Sequence, residues 1–82
     1  MSPEIGRFSG ADALGINAAG QVVGRCYDGF TEHGFLLDKG TFTTIDPPGS
    51  AFTQAIGINA AGHIVGDYMD ASGTFHGFVA TP

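Results

Sequence analysis

Two tripeptides, His33-Gly34-Phe35 and His76-Gly77-Phe78, follow the aspartates Asp28 and Asp70 by a few residues. An imidazole that titrates near neutral pH beside a carboxylate is the raw material of a general base or a zinc site. A histidine at the start of a strand can also bond a neighbouring loop and lock it. The second use fits better: the two histidines are equivalents in a repeat and sit a whole unit apart, whereas Zn–N bonds are about 2.0–2.1 Å. No metal and no cofactor are expected, and Asn17, Asn59, Asp28, Asp70, His33 and His76 read as structural residues of the repeat. Cys26 has Tyr68 at its equivalent position and no repeated histidine in register with it, which suits a structural thiol better than a nucleophile. Asp70-Ala71-Ser72-Gly73 lacks the alternating acids and closing glutamate of a calcium loop and reads as a hairpin loop. No Gly-x-Gly-x-x-Gly follows a strand and opens a helix, so the glycines serve turns and close strand packing rather than a phosphate cradle.

Positions that differ between otherwise matching segments are better candidates for recognition. They are Gln21 against His63, Arg25 against Asp67, Cys26 against Tyr68 and Tyr27 against Met69. Arg25, Tyr27, Asp67 and Tyr68 could present hydrogen bonds and a ring face to a sugar or peptide in a pocket between repeats. The plainer alternative is that Arg25 and Asp67 form a surface ion pair worth about 0–1 kcal/mol. No catalytic set of nucleophile, base and oxyanion donors can be named, and no acid pair stands out as a glycosidase pair.

The elements that must hold these residues come from an internal repeat. The segment Ala13-Leu14-Gly15-Ile16-Asn17-Ala18-Ala19-Gly20-Gln21-Val22-Val23-Gly24 returns as Ala55-Ile56-Gly57-Ile58-Asn59-Ala60-Ala61-Gly62-His63-Ile64-Val65-Gly66, 42 positions on. The His-Gly-Phe tripeptides are 43 apart while Asp28 and Asp70 are 42 apart, which places one inserted residue in the loop between aspartate and histidine. Each unit reads as short strands separated by turns. Leu14 and Ile16 alternate with Gly15 and Asn17, and the turn Asn17-Ala18-Ala19-Gly20 follows. Strands over Gln21–Tyr27, His33–Leu37 and Thr41–Ile45 come next, with Asp38-Lys39-Gly40 as a hairpin turn and Asp46-Pro47-Pro48-Gly49 as a stop. No stretch carries helical periodicity. The repeated apolar positions Ile16, Val22, Val23, Phe35, Ile58, Ile64, Val65 and Phe78 are the expected core.

Four antiparallel strands in a 42-residue period match a β-propeller blade; a two-repeat β-solenoid-like fragment is the alternative. The chain is thus expected to be one all-β domain of two tandem repeats, about 9–50 and 51–82. The second unit ends where its fourth strand is due, and residues 4–8 read as a strand that could complete it in the same or another copy. Two blades cannot close a propeller of 4 to 8. A homo-oligomer is therefore expected, dimer to tetramer with trimer the first choice, unless the chain is a piece of a longer repeat protein.

Composition narrows the partners. Eight acidic against three basic residues give a net charge of −5, the wrong sign for a phosphate backbone, so nucleic acid is not an expected partner. Apolar runs are too short for a membrane-spanning helix or a signal peptide, and no membrane insertion is expected. In the repeated Gly-Ile-Asn-Ala-Ala-Gly segment, the His-Gly-Phe tripeptides and the stretch from Gly40 to Gly49, the chain resembles the HAF repeat family of bacterial, mostly extracellular proteins named for a His-Ala-Phe tripeptide. The resemblance implies an extracellular or cell-surface repeat protein and brings no catalytic residue or cofactor. The leading functional expectation is a structural or protein-interaction module. A carbohydrate-binding, lectin-like oligomer is the alternative, with a glycan or protein ligand.

Overall fold

The computed structural model describes residues 10–82, and these are all-β, with seven strands and no helix. The strands are β1 (Gly10–Ile16), β2 (Val22–Tyr27), β3 (Glu32–Asp38), β4 (Thr41–Ile45), β5 (Ser50–Ile58), β6 (Ile64–Asp70) and β7 (Phe75–Ala80). They form one open mixed sheet in the order β1-β2-β3-β5-β6-β7, with β4 paired to β3 off that path. The expected N-terminal strand at 4–8 lies outside the described residues.

The sheet divides by its pairing. β1 to β4 form an antiparallel leaf, β5 to β7 form another, and the two join through a single parallel bridge from Glu32 to Phe52. The turns follow the local sequence closely. Gly20 and Gly62 take positive φ and donate to the carbonyls of Asn17 and Asn59, while Asn17 Oδ1 and Asn59 Oδ1 accept from the backbone N–H of Gln21 and His63. Lys39 and Gly40 both have positive φ, the requirement of a two-residue type I′ hairpin. The extra residue of the second unit falls where the repeat offset places it: Asp28 N–H donates to Thr31 O, whereas Asp70 N–H donates to Thr74 O, one residue further on.

Both leaves carry the same irregularity, a register shift between Ala13 and Gly15 and again between Ala55 and Gly57. At the same level each phenylalanine of the tripeptides crosses over a glycine of the next strand. A Cβ on Gly24 would strike the Asp12 carbonyl and lie 2.9 Å from the Phe35 ring, and one on Gly66 would meet the Gln54 carbonyl and the Phe78 ring in the same way. Glycine at these two positions lets backbone and ring close on each other, so the recurring Gly and Phe are one packing device.

The second leaf packs across a face of the first. Antiparallel partners share a face, which places Gly15, Val23, Gly34, Leu36 and Ile45 on one side of the first leaf, and Thr53, Ala55, Ile58, Ile64, Phe78 and Ala80 on one side of the second. These two sides meet. Val23, Ala55 and Ile64 form the buried cluster, with Leu36, Ile45, Ile58, Phe78 and Ala80 packed on it. The backbones come close enough that a Cβ on Gly34 would be 3.2 Å from Thr53 Cγ2, and one on Gly15 3.0 Å from the Ile56 carbonyl.

Two members of the expected core lie elsewhere. Ile16 is 69% exposed and Val65 48% exposed. Each lies on the face of its leaf turned away from the junction, Ile16 beside Val22 and Val65 beside Gly57. Repetition marks both positions as inward-facing in a unit covered on two sides, and here each leaf is covered by the other on one side only.

Candidate functional site

The histidine loops are densely hydrogen-bonded. Asp28 Oδ1 accepts from the backbone N–H of Phe30 and of Thr31, each at 2.8 Å, and its Oδ2 lies 2.7 Å from His33 Nε2. The other ring nitrogen, Nδ1, is 2.8 Å from Asp46 Oδ1, just beyond β4. Asp70 repeats the cap with the backbone N–H of Ser72 and Thr74, adds the Ser72 hydroxyl at 2.6 Å, and meets His76 Nε2 at 2.9 Å. The carboxylates respond. Donation from the Thr31 backbone, from His33 and from the Phe30 backbone pulls the Asp28 pKa down to about 2, and the Ser72 hydroxyl, His76 and the Thr74 backbone depress Asp70 likewise. Asp28 above all raises the pKa of His33, and Asp46 adds to this against an opposing effect of partial burial.

Thr31 Oγ1, 3.0 Å from His33 Nε2, superficially completes a hydroxyl, imidazole and carboxylate line with Asp46. The same nitrogen faces the closer Asp28 carboxylate. With carboxylates on both ring nitrogens the imidazole is held as a donor on both sides, and a protonated imidazole cannot take a proton from a hydroxyl. The arrangement clamps β3 to the loop before it and to the segment after β4. Among the described residues no group of three or more His, Cys, Asp or Glu is arranged to hold a metal ion.

Cys26 is buried and its thiol donates at most weakly to the His33 carbonyl, 3.6 Å away. Burial first, and then the charges of Asp46, Asp28 and Glu32, push its pKa up to about 11. Such a thiol is protonated and enclosed at neutral pH, the opposite of an activated nucleophile.

The four candidate ligand residues separate. Arg25 Nε donates to Asp12 Oδ2 at 2.9 Å, with Glu32 Oε1 at 3.9 Å, and these carboxylates hold the guanidinium pKa above its usual value. Arg25 and Tyr27 line an open cleft of about 320 Å³ with Asp12, Cys26 and Glu32. Tyr27 also donates its hydroxyl to the Gly29 carbonyl at 3.3 Å. Asp67 is linked to this cleft through Gln54: Arg25 Nη1 donates to Gln54 Oε1 at 3.5 Å and Gln54 Nε2 to Asp67 Oδ1 at 2.9 Å. Tyr68 belongs to the other face of β6, across the strand from His76, whose ring stacks on it at 5.0 Å between centroids.

The partners that sequence reasoning missed are Asp12, Glu32 and Gln54. Two of them carried a signal. Asp12 pairs directly with Arg25 across β1 and β2, and its repeat equivalent Gln54 pairs directly with Asp67 across β5 and β6. Where the repeat changes Arg to Asp, it also changes the facing Asp to Gln, so that each cross-strand pair keeps a hydrogen bond. The chain matches no family model, no curated protein and no solved structure.

Proposed function

We propose that this chain is a structural or protein-interaction repeat module whose two units are blades of a β-propeller-like ring, completed by further copies of the chain. The observation that carries the reading is the stacking of one leaf on the other through opposite faces of the repeat, the Val23 face of the first against the Ile64 face of the second, an arrangement that a third unit could extend in the same sense. A β-solenoid is the alternative architecture. It is disfavoured because β5 packs across the face of the first leaf, with only one hydrogen-bonded bridge to β3. The ring is a dimer to tetramer, with the trimer preferred. The likeness of the His-Gly-Phe and Gly-Ile-Asn-Ala-Ala-Gly motifs to the HAF repeat family supports an extracellular or cell-surface setting. The reading assigns no catalytic role, since the chemically capable residues are engaged in loop capping and strand clamping.

Native mass spectrometry of the 82-residue chain over a dilution series tests this. A single defined oligomer of two, three or four copies is expected. A folded monomer at every concentration would overturn it.

One observation favours a second reading, carbohydrate binding: the cleft beside Tyr27 offers Asp12, Arg25 and Glu32 as polar groups around a ring face. A glycan array would be expected to show binding that Arg25→Ala and Tyr27→Ala remove. An array without binding, or binding indifferent to both changes, would eliminate that reading.

A further inference from the structure

Resting on the assembly reading above, we infer that the outer face of β5, β6 and β7 is a docking surface for the first strand of a second copy of this chain, which seats on it head to tail as β5 seats on the first leaf. The argument is one of equivalence within a repeat. Val23 and Gly34 are buried beneath Thr53 and Ala55 of β5. Their equivalents Val65 and Gly77 are exposed, and so is Val79, the equivalent of Leu36. On the opposite side of the molecule, Ala11 and Ala13 of β1 hold the places of Thr53 and Ala55 and are exposed. The chain therefore displays both halves of an interface whose assembled form it already contains once.

Three further features extend across such a junction. Asn17 Nδ2 uses one hydrogen on Gln21 Oε1 and the other on the Asn59 carbonyl, a contact that spans one repeat of 42 residues. Asn59 has the equivalent side-chain amide, with His63 Nδ1 at 3.4 Å, and the corresponding acceptor is the Asn17 carbonyl of the next copy. A Cβ on Gly15 would press on the backbone of Ile56 and Gly57, while one on Gly57 meets nothing beyond its own leaf, only Val65 Cγ2. Gly57 thus leaves room for the next copy's Leu14 and Gly15. Gly62, in the second unit's turn, lies beside Gln21 of the first, whereas a Cβ on its equivalent Gly20 would have nothing within 4 Å.

The charges do not repeat as the apolar residues do. The contact of Arg25 with Gln54 becomes, between copies, Asp67 of one chain against Asp12 of the next, with Asp12 already bonded to its own Arg25. This like-charge approach makes the junction between chains weaker than the one within the chain, and gives a handle on it.

The test is directional cross-linking between two populations, one carrying Ala11→Cys and the other Gly77→Cys. Both sites are exposed and open, and both populations also carry Cys26→Ala, because Cys26 lies directly across β2 from position 11 and would otherwise capture the new thiol within the chain. Within the chain, a Cβ on Gly34 would lie 3.2 Å from Thr53 Cγ2, so side chains at the equivalent positions of neighbouring copies would be in direct contact, as a disulfide requires. Mild oxidation of the mixture is expected to give a covalent dimer of one chain of each kind, and neither population alone should cross-link. Cross-linking of Gly77→Cys with itself would mean a face-to-face contact and overturn the inference. An oligomer by native mass whose mixture gives no mixed dimer would overturn this interface and leave the assembly reading standing. A monomer throughout would overturn both. In parallel, Asp67→Arg should tighten self-association by up to about fivefold by pairing with the next copy's Asp12, and Val65→Asp should weaken it at least tenfold. No change in either would count against the surface.

Discussion

Val23 and Val65 hold the same place in the repeat, each on the second strand of its leaf, yet Val23 is fully enclosed and Val65 is 48% exposed. Phe35 and Phe78 differ in the same direction: the first is buried, stacked on Phe42 of β4 at 5.4 Å, and the second is only partly covered, tilted against Tyr68. Local sequence cannot account for the contrast. Phe35 owes its cover to the fourth strand, through Phe42, and Val23 to the second leaf across its face; among the described residues the second unit has no fourth strand, and only its other face, the one with Phe78, meets a leaf. The stability of a repeat is the sum of what lies within it and what its neighbours add. Here the neighbour contribution can be read by comparing equivalent side chains.

The largest expected difference is at the phenylalanines. Phe35→Ala should cost roughly 3–5 kcal/mol, the range for removing a buried aromatic ring, and Phe78→Ala clearly less. Urea unfolding of both variants at a concentration where the chain is monomeric would measure this. Equal losses would mean that both rings are equally supported, and the contrast between the units would fail. The valines sharpen the same point. Val23→Ala removes two buried methyl-sized groups and leaves a gap beside Ala55, an expected loss of about 2 kcal/mol. Val65→Ala should cost under about 0.5 kcal/mol in the monomer, as for surface positions in general. Its cost should rise under conditions where copies associate.

The organisation of the fold is legible in the sequence because it is written twice. The offsets of 42 and 43 locate the turns, the inserted loop residue and the histidine clamp, since each depends on a few neighbouring residues with strong local preferences. Exposure is not legible in the same way. Repetition identifies which positions face a neighbouring unit but not whether that unit is present, and so it groups Ile16 and Val65 with Val23. The register shifts at Ala13/Gly15 and Ala55/Gly57 are also hidden, because a bulge adds no distinctive residue beyond a glycine. Of the candidate site, Arg25 and Tyr27 do share a cleft, Asp67 reaches it only through Gln54, and Tyr68 lies on the other face of its strand. Without the register, spacing alone does not separate Tyr68 from the other three.

A smaller effect is expected at Thr53. It is 1% exposed, and its Oγ1 has no hydrogen-bond partner, while its equivalent Ala11 is exposed. A buried hydroxyl without a partner is a cost, and an apolar group of the same shape removes it. Thr53→Val should stabilise the chain by about 1 kcal/mol, and Ala11→Val should leave the monomer unchanged. A loss of stability in Thr53→Val would show that the hydroxyl is satisfied in solution, by water.

The smallest effects are those of pH, and they separate the two clamps by their number of carboxylates. His33 has Asp28 and Asp46, while His76 has Asp70. Because the folded pKa of His33 lies above its ordinary 6.5, the stabilisation is complete below about 6.5 and is lost as pH rises through the raised value. Asp28 gives the opposite limb. Its pKa falls from the usual 3.8 to about 2, so its contribution is present above 3.8 and is lost as pH falls towards 2. Thermal melts from about pH 2 to about pH 9 should therefore show a shallow maximum between the two limbs. His33→Gln should flatten the alkaline limb, and Asp28→Asn should reduce both, since the same carboxylate caps the loop and charges the ring. Asp70→Asn, on the other unit, should reduce the acid limb. If the alkaline limb survived both His33→Gln and Asp28→Asn, the double clamp on His33 would not be its source.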